Sequence, residues 1–256
     1  MSSVTALAKR LRSRSPVVSA WCGLPDPFVA GILAREAFDA VTLDMQHGMV
    51  DIAAAIGAVP AIAAAGKAAM VRIAVGDFAT ASRLLDAGAA AIIAPMINTI
   101  EDARRFAASM KYPPVGERSW GPHGAVALTG LEGPDYFAQA NDFSLSFAMV
   151  ETREALAMVD EILAVQGIDG IFVGPSDLSI ALSGGRSVDP SSTAVDEALI
   201  HAQARARAAG KFIGVYTVAG EHAADYLKRG FDVVALGSDG LFLRAGAQAA
   251  LKAARG

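Results

Sequence analysis

The chain has 256 residues, 53% of them hydrophobic, and a formal net charge of −4. That length suits one α/β barrel in a single domain spanning 1–256, and the charge balance drives binding to neither nucleic acid nor an anionic membrane. One cysteine, Cys22, excludes an internal disulfide framework and suits a reducing cytoplasm.

Residues 1–16 carry no charged-then-apolar leader ending in a small-residue cleavage site, so a cytoplasmic location is expected. Strand patterns follow at 17–22 (VVSAWC), 39–45 (DAVTLDM), 68–73 (AAMVRI), 90–95 (AAIIAP), 145–150 (LSFAMV), 169–173 (DGIFV), 212–217 (FIGVYT) and 232–236 (DVVAL). A weaker candidate near 117–120 is one strand too many for an eight-stranded barrel and reads as loop. Helical patterns fill 26–37, 51–65, 77–87, 99–109, 153–165, 191–209, 219–229 and 239–254. The most apolar run, 52–66, is Ala-rich, contains Pro60 and is too short to span a bilayer; it reads as a buried helix with one break. Gly66, Gly88, Gly210 and Gly230 each stand just after a helix and before a strand, where a left-handed cap turns the chain. This alternation predicts a parallel sheet closed as a (β/α)8 barrel. An open doubly wound sheet is the competing arrangement, weakened because no G-x-G-x-x-G follows the first strand. The C-terminal helix, about 239–254, is a candidate for packing on a neighbouring subunit.

Residues 111–144 break the rhythm. Their paired prolines and spaced glycines (KYPPVGERSWGPHG) predict a long structured loop, with a short helix at 133–140. Such a loop is either a functional lid or an ordinary excursion.

The strand at 145–150 leads into Glu151, and the strand at 169–173 runs into Gly174, Pro175, Ser176 and Asp177. The helical segment between them makes the two strands parallel, so both carboxylates fall on one face. Two carboxylates with no Cys or His beside them suit a hard divalent cation that keeps positions open for substrate. On that pattern alone the alternative, two unrelated solvated carboxylates, stays open. Other polar groups fall on the same face: Asp44 and His47 where 39–45 ends, and Arg72 at the end of 68–73. Imine chemistry needs a lysine in the barrel mouth. Lys67 and Lys211 precede strands and so lie at the opposite face, and Lys9, Lys111, Lys228 and Lys252 fall in helices or at their ends. That favours a metal electrophile over an imine as the way to hold an enolate.

Nearly the whole chain resembles the HpcH/HpaI family of metal-dependent pyruvate aldolases. The matching pieces are WCGLPD from Trp21, LDMQH through Asp44 to His47, VR at Arg72, LLDAGA around Asp86, APMINT, YPPVGER, MVETREAL around Glu151 and GIDGIFVGPSDLS through Asp177. The resemblance implies a TIM barrel and reversible aldol cleavage of a 4-hydroxy-2-oxo acid to pyruvate and an aldehyde through a metal-stabilised pyruvate enolate. It implies Glu151 and Asp177 as ligands of Mg²⁺ or Mn²⁺, with Co²⁺ a further candidate, and no organic cofactor. Arg72 resembles the group that stabilises the enolate oxygen. His47 resembles the base, with Asp44 orienting it and Asp86 assisting it. Gly174, Pro175, Ser176 and Asp177 resemble the segment that receives the substrate, a backbone N–H at Ser176 meeting its carboxylate. Trp21 is a candidate wall of the pyruvate site or a core residue. Asp86 closes the helix after the 68–73 strand, on the face away from its own site, so it would serve a neighbouring subunit. That agrees with the family's trimer-based oligomers, commonly hexamers. Met149 stands where some members carry Gln, and Tyr216 where some carry a smaller aliphatic residue; both changes would reshape the aldehyde end of the pocket. An oxaloacetate decarboxylase using the same enolate, and a non-catalytic barrel binding a small acid, are the alternatives.

Overall fold

The structure is a computed structural model and describes residues 2–256. It opens with α1 (Ser3–Arg12). Then β1 (Val17–Cys22), α2 (Pro27–Arg35), β2 (Ala40–Asp44), α3 (Ile52–Ala64), β3 (Ala68–Arg72), α4 (Phe78–Ala87), β4 (Ala91–Ala94) and α5 (Ile100–Met110) alternate. After a loop come α6 (His123–Thr129) and α7 (Gly133–Phe143). Next are β5 (Leu145–Val150), α8 (Arg153–Ala157), α9 (Val159–Ala164), β6 (Gly170–Val173) and α10 (Pro175–Ser183). The chain ends with α11 (Thr193–Ala208), β7 (Phe212–Thr217), α12 (Gly220–Arg229), β8 (Val233–Leu236) and α13 (Asp239–Arg255). The strands close in chain order from β1 to β8, every neighbouring pair parallel. This is the expected (β/α)8 barrel in one domain.

The local chemistry that starts and stops the helices is visible. Asp51, Asp77, Thr99 and Thr152 accept backbone N–H bonds at the starts of α3, α4, α5 and α8, which satisfies donors the helix itself cannot. The expected glycine caps all have positive φ, Gly88 at 106°, a conformation that a β-carbon would strain. The segment near 117–120 is loop, as expected. Two expectations need correction. The 153–165 helix is divided at Met158 into α8 and α9. The expected break at Pro60 is missing: α3 runs through it, with Pro60 on the solvent side where water reaches the carbonyl left free.

Two apolar layers hold the barrel. Between strands and helices lie Val41, Val71, Ile92, Val150, Val173, Val215 and their helical partners. Inside the barrel lie Trp21, Met70, Ile93, Phe147, Met149, Phe172 and Phe212, with a Ser19–Thr42 hydroxyl pair at 2.7 Å. Helix α1, which the strand–helix alternation does not anticipate, packs on this inner cluster through Val4, Leu7, Ala8 and Leu11, a one-face helical spacing. At the N-terminal end of β5 and β6 the buried Lys111 Nζ donates to the carbonyls of Asn141 and Ser144 and to Asp169. Lys111 therefore sits away from the strand C-termini, as expected of the chain's lysines.

Candidate active site

The C-terminal ends of the strands surround a cavity of about 440 Å³. Trp21, Asp44, His47, Arg72, Gly174, Pro175, Ser176 and Asp177 all line it, together with Leu24, Met49, Met149, Tyr216, Ser238 and Asp239. Strand register explains the most intimate pair. Asp44 and Arg72 end β2 and β3 directly opposite each other. Arg72 Nε and Nη2 donate to the two Asp44 oxygens at 2.8 and 2.7 Å, a bidentate pair with side chains only 9% and 5% exposed. Trp21 Nε1 donates to Asp44 at 3.1 Å and its ring stacks under the guanidinium, 4.8 Å away. Burial opposes ionisation of Asp44, but the hydrogen bonds and charge of Arg72 outweigh it and hold the carboxyl below its usual range. Nη1 of Arg72 has no acceptor among the described residues, so one edge of the guanidinium is left for a ligand oxygen.

Asp44 meets His47 differently from the expectation. Its Oδ1 accepts the backbone N–H groups of Gln46 and His47, at 3.1 and 3.4 Å. It therefore fixes the loop that carries His47 rather than the imidazole, because both oxygens are already engaged by Arg72 and Trp21. The His47 side chain is exposed at the cavity rim.

Glu151 follows β5 and is completely buried. Its Oε1 accepts the Met96 N–H at 2.7 Å, while Oε2 is buried with no hydrogen-bond partner. A carboxylate oxygen in that state is costly unless a cation meets it. Burial, with a smaller push from the charge of Asp177, raises the Glu151 carboxyl to about 7. Gly174 permits this approach: a β-carbon there would lie 2.5 Å from Glu151 Oε2. Gly174 also caps α10, with Pro175 at its first turn, and Asp177 follows two residues later. The N–H groups of Ser176 and Asp177 open that helix beside the cavity, a setting that favours an anion. Two carboxylates, one with an orphaned oxygen, fit a hard divalent ion that takes its other ligands from substrate and water. Among the described residues no cluster of three or more His, Cys, Asp or Glu side chains forms a closed metal cage.

Asp86 is not brought to this site. It lies near the end of α4, toward the start of β4, and Arg118 donates to its Oδ1 at 2.7 Å. Arg118 is buried between Tyr112 and Tyr136, so the 111–122 loop serves to hold Asp86. Two contributors carry no mark in the sequence. Met96, whose amide orients Glu151, has φ 53°, a strained conformation for a non-glycine residue. Asp239, after β8, accepts the N–H groups of Gly23 and Leu24 and the Cys22 thiol, and so clamps the β1 loop over the cavity. Burial and the Asp239 charge push the Cys22 thiol up, which leaves it an inert proton donor.

The pattern of the HpcH/HpaI aldolase/citrate lyase family matches residues 18–245. The chain belongs to that family, and it is a carbon–carbon lyase. It is 41% identical over 240 residues to a hydroxypyruvate/pyruvate aldolase of Rhizorhabdus wittichii, covering 94% of both chains. It is 35% identical over 244 residues to a 4-hydroxy-2-oxo-heptane-1,7-dioate aldolase of Salmonella dublin, covering 95% of this chain and 92% of the other. A solved family protein from Burkholderia cenocepacia J2315 superposes with TM-score 0.88 at 27% identity, covering 98% of this chain and 100% of that one.

Proposed function

We propose that this chain is a divalent-metal-dependent aldolase that reversibly cleaves 4-hydroxy-2-oxo acids to pyruvate and an aldehyde. The observation that carries the reading is the orphaned Oε2 of Glu151, buried against Gly174 at the opening of α10 and near enough to Asp177 to feel its charge. Glu151 and Asp177 would hold Mg²⁺ or Mn²⁺, with Co²⁺ a further candidate. When bound, that ion supplies a Lewis acid for the keto oxygen of a 2-oxo acid. The chain's own groups do the rest. The N–H groups of Ser176 and Asp177 receive the substrate carboxylate. The free Nη1 edge of Arg72 meets the keto oxygen, where negative charge grows as the enolate forms. Asp44 and Trp21 keep that guanidinium aimed. In cleavage, His47 takes the proton of the 4-hydroxyl, the C3–C4 bond breaks to release the aldehyde, and C3 is then protonated to give pyruvate. No organic cofactor enters.

The same reading includes self-association, trimer-based and hexameric. From Leu243 onward every residue of α13 is exposed, Leu243 at 60% and Leu251 at 50%. A helix of that length is marginal in water without tertiary packing, so a neighbouring subunit is the cover we infer for it. Asp86, held by Arg118, would reach the His47 of such a neighbour. A cytoplasmic location belongs to the reading too, supported by the lone free thiol; among the described residues no helix is long and apolar enough to cross a membrane. The test is carbon–carbon bond formation from pyruvate plus an aldehyde, run beside oxaloacetate alone. Aldol product is expected; carbon dioxide from oxaloacetate with no aldol product would replace the aldolase with a decarboxylase.

A further inference from the structure

We propose that Asp239, the first residue of α13, is a positioning residue for His47, and that it acts through one peptide unit of the loop after β1. The proposal rests on the reading of His47 as the base and adds what places that base. His47 stands between β2 and α3, in neither helix nor strand, and its side chain is exposed. Within its own chain the imidazole has no hydrogen-bond partner among the described residues, so the backbone that carries it decides where it points. That backbone is held at two points. On the near side, Asp44 Oδ1 accepts the N–H groups of Gln46 and His47 at 3.1 and 3.4 Å. On the far side, the Met49 N–H donates to the Gly23 carbonyl at 2.8 Å. Gly48 closes the same contact: a β-carbon there would lie 2.8 Å from Gly23 Cα.

The far anchor is only as firm as Gly23, which itself lies in the loop between β1 and α2. Asp239 secures it. Its Oδ2 accepts the Gly23 N–H at 3.0 Å, the Leu24 N–H at 2.8 Å and the Cys22 thiol at 3.1 Å. The Leu24 N–H and the Gly23 carbonyl belong to one planar peptide unit, which points them in opposite directions. Asp239, that peptide and the Met49 N–H therefore form a relay of two hydrogen bonds, each 2.8 Å long. The peptide cannot turn without loosening both. Helix capping does not account for the arrangement. Ser238 caps α13 by accepting the Leu241 N–H, and Asp239 directs Oδ2 at the loop after β1 rather than at its own helix. The carboxylate is only 4% exposed, and its N–H donors offset that burial. Without it, the Gly23–Leu24 peptide is free to rotate and residues 47–49 lose their far anchor. Misplacing a reacting group by about 1 Å can lower the rate about 10²-fold.

The test uses the assembled enzyme with its metal ion and a 4-hydroxy-2-oxo acid. Pyruvate release is measured for the unaltered enzyme, Asp239→Ala, His47→Ala and the double variant. Asp239→Ala is expected to lower kcat about 10–10²-fold with KM little changed, because Glu151, Asp177 and Arg72 stand on other elements. In the His47→Ala background the same substitution is expected to have little effect, since the group it places is gone. A merely structural role would lower the rate equally in both backgrounds. Asp239→Asn is nearly isosteric and keeps one weaker acceptor. It is expected to lower kcat about fivefold, and it supplies the same four-way comparison if the Ala variant does not fold. Equal losses in both backgrounds, or an unchanged kcat on substituting Asp239, overturn this proposal and leave His47 as the base. Full kcat in His47→Ala overturns the reading of His47 and this proposal with it.

Discussion

Replacing Arg72 by Ala tests two physical claims at once. The side chain is bound bidentately to Asp44 at 2.7 and 2.8 Å, and both partners are almost wholly buried. Breaking such a pair from one side costs about 3–5 kcal/mol, because the remaining charge stays buried. Asp44 keeps three N–H donors, from Trp21, Gln46 and His47, and it borders a water-accessible cavity. The cost should therefore fall near the lower end, about 3 kcal/mol at pH 7. Its sign with pH follows from the Asp44 carboxyl, which Arg72 holds below its usual range. Stability from that depression is full above the unfolded carboxylate value, about 3.9, and is lost as the pH falls through the lower folded value. The gap in unfolding free energy between the two proteins should therefore close in acid. Turnover should fall about 10²–10³-fold, the usual cost of one lost stabiliser of developing oxyanion charge. Urea unfolding at pH 7 and pH 3 measures the first claim, and deuterium exchange into the pyruvate methyl group measures the second. Exchange that survives Arg72→Ala would move Arg72 to a binding or structural role, and a stability gap unchanged in acid would refute the charge-pair account.

Metal affinity should weaken about tenfold per pH unit as the pH drops below about 7, because the raised Glu151 carboxyl must lose its proton to coordinate; calorimetry in buffers of different ionisation enthalpy should record a proton released per ion, and a flat affinity between pH 8 and 5.5 would count against Glu151 as ligand. Asp86→Asn and His47→Ala should each depress turnover, and mixed oligomers of the two should regain activity, since some interfaces then hold one intact pair; no recovery in the mixture would leave Asp86 a helix-end residue bound to Arg118. A chain ended after Phe242, which still packs on the core, should sediment as a smaller species than the full chain; an unaltered sedimentation coefficient would remove α13 from the interface.

The barrel was legible because short apolar strands alternate with helices that end in glycine, and each of those signals is local. Asp44, Arg72, Glu151 and Asp177 were legible as a convergence because parallel strands put their C-terminal ends on one face. What escaped depends on distance or strain. The bidentate union of Asp44 and Arg72 is a consequence of β2–β3 register, which the spacing of the two residues does not encode. Asp239 reaches back to Gly23 and Leu24 across the length of the chain. Met96 adopts a left-handed backbone that its side chain gives no reason to expect. Helix α1 had a readable signal in the spacing of Val4, Leu7, Ala8 and Leu11, but it stands outside the strand–helix alternation that organised the rest. The division at Met158 leaves the apolar spacing of 153–165 intact and so left no trace in it.

The central claim is that Glu151 and Asp177 hold a divalent ion on which aldol cleavage depends. The direct measurement is the rate of pyruvate release from a 4-hydroxy-2-oxo acid by chelator-treated protein, before and after Mg²⁺ or Mn²⁺ is added, with borohydride trapping alongside. Loss of cleavage without metal, recovery with it and no trapped adduct are predicted. Full activity in the metal-free protein, or a lysine reduced onto pyruvate, would contradict it.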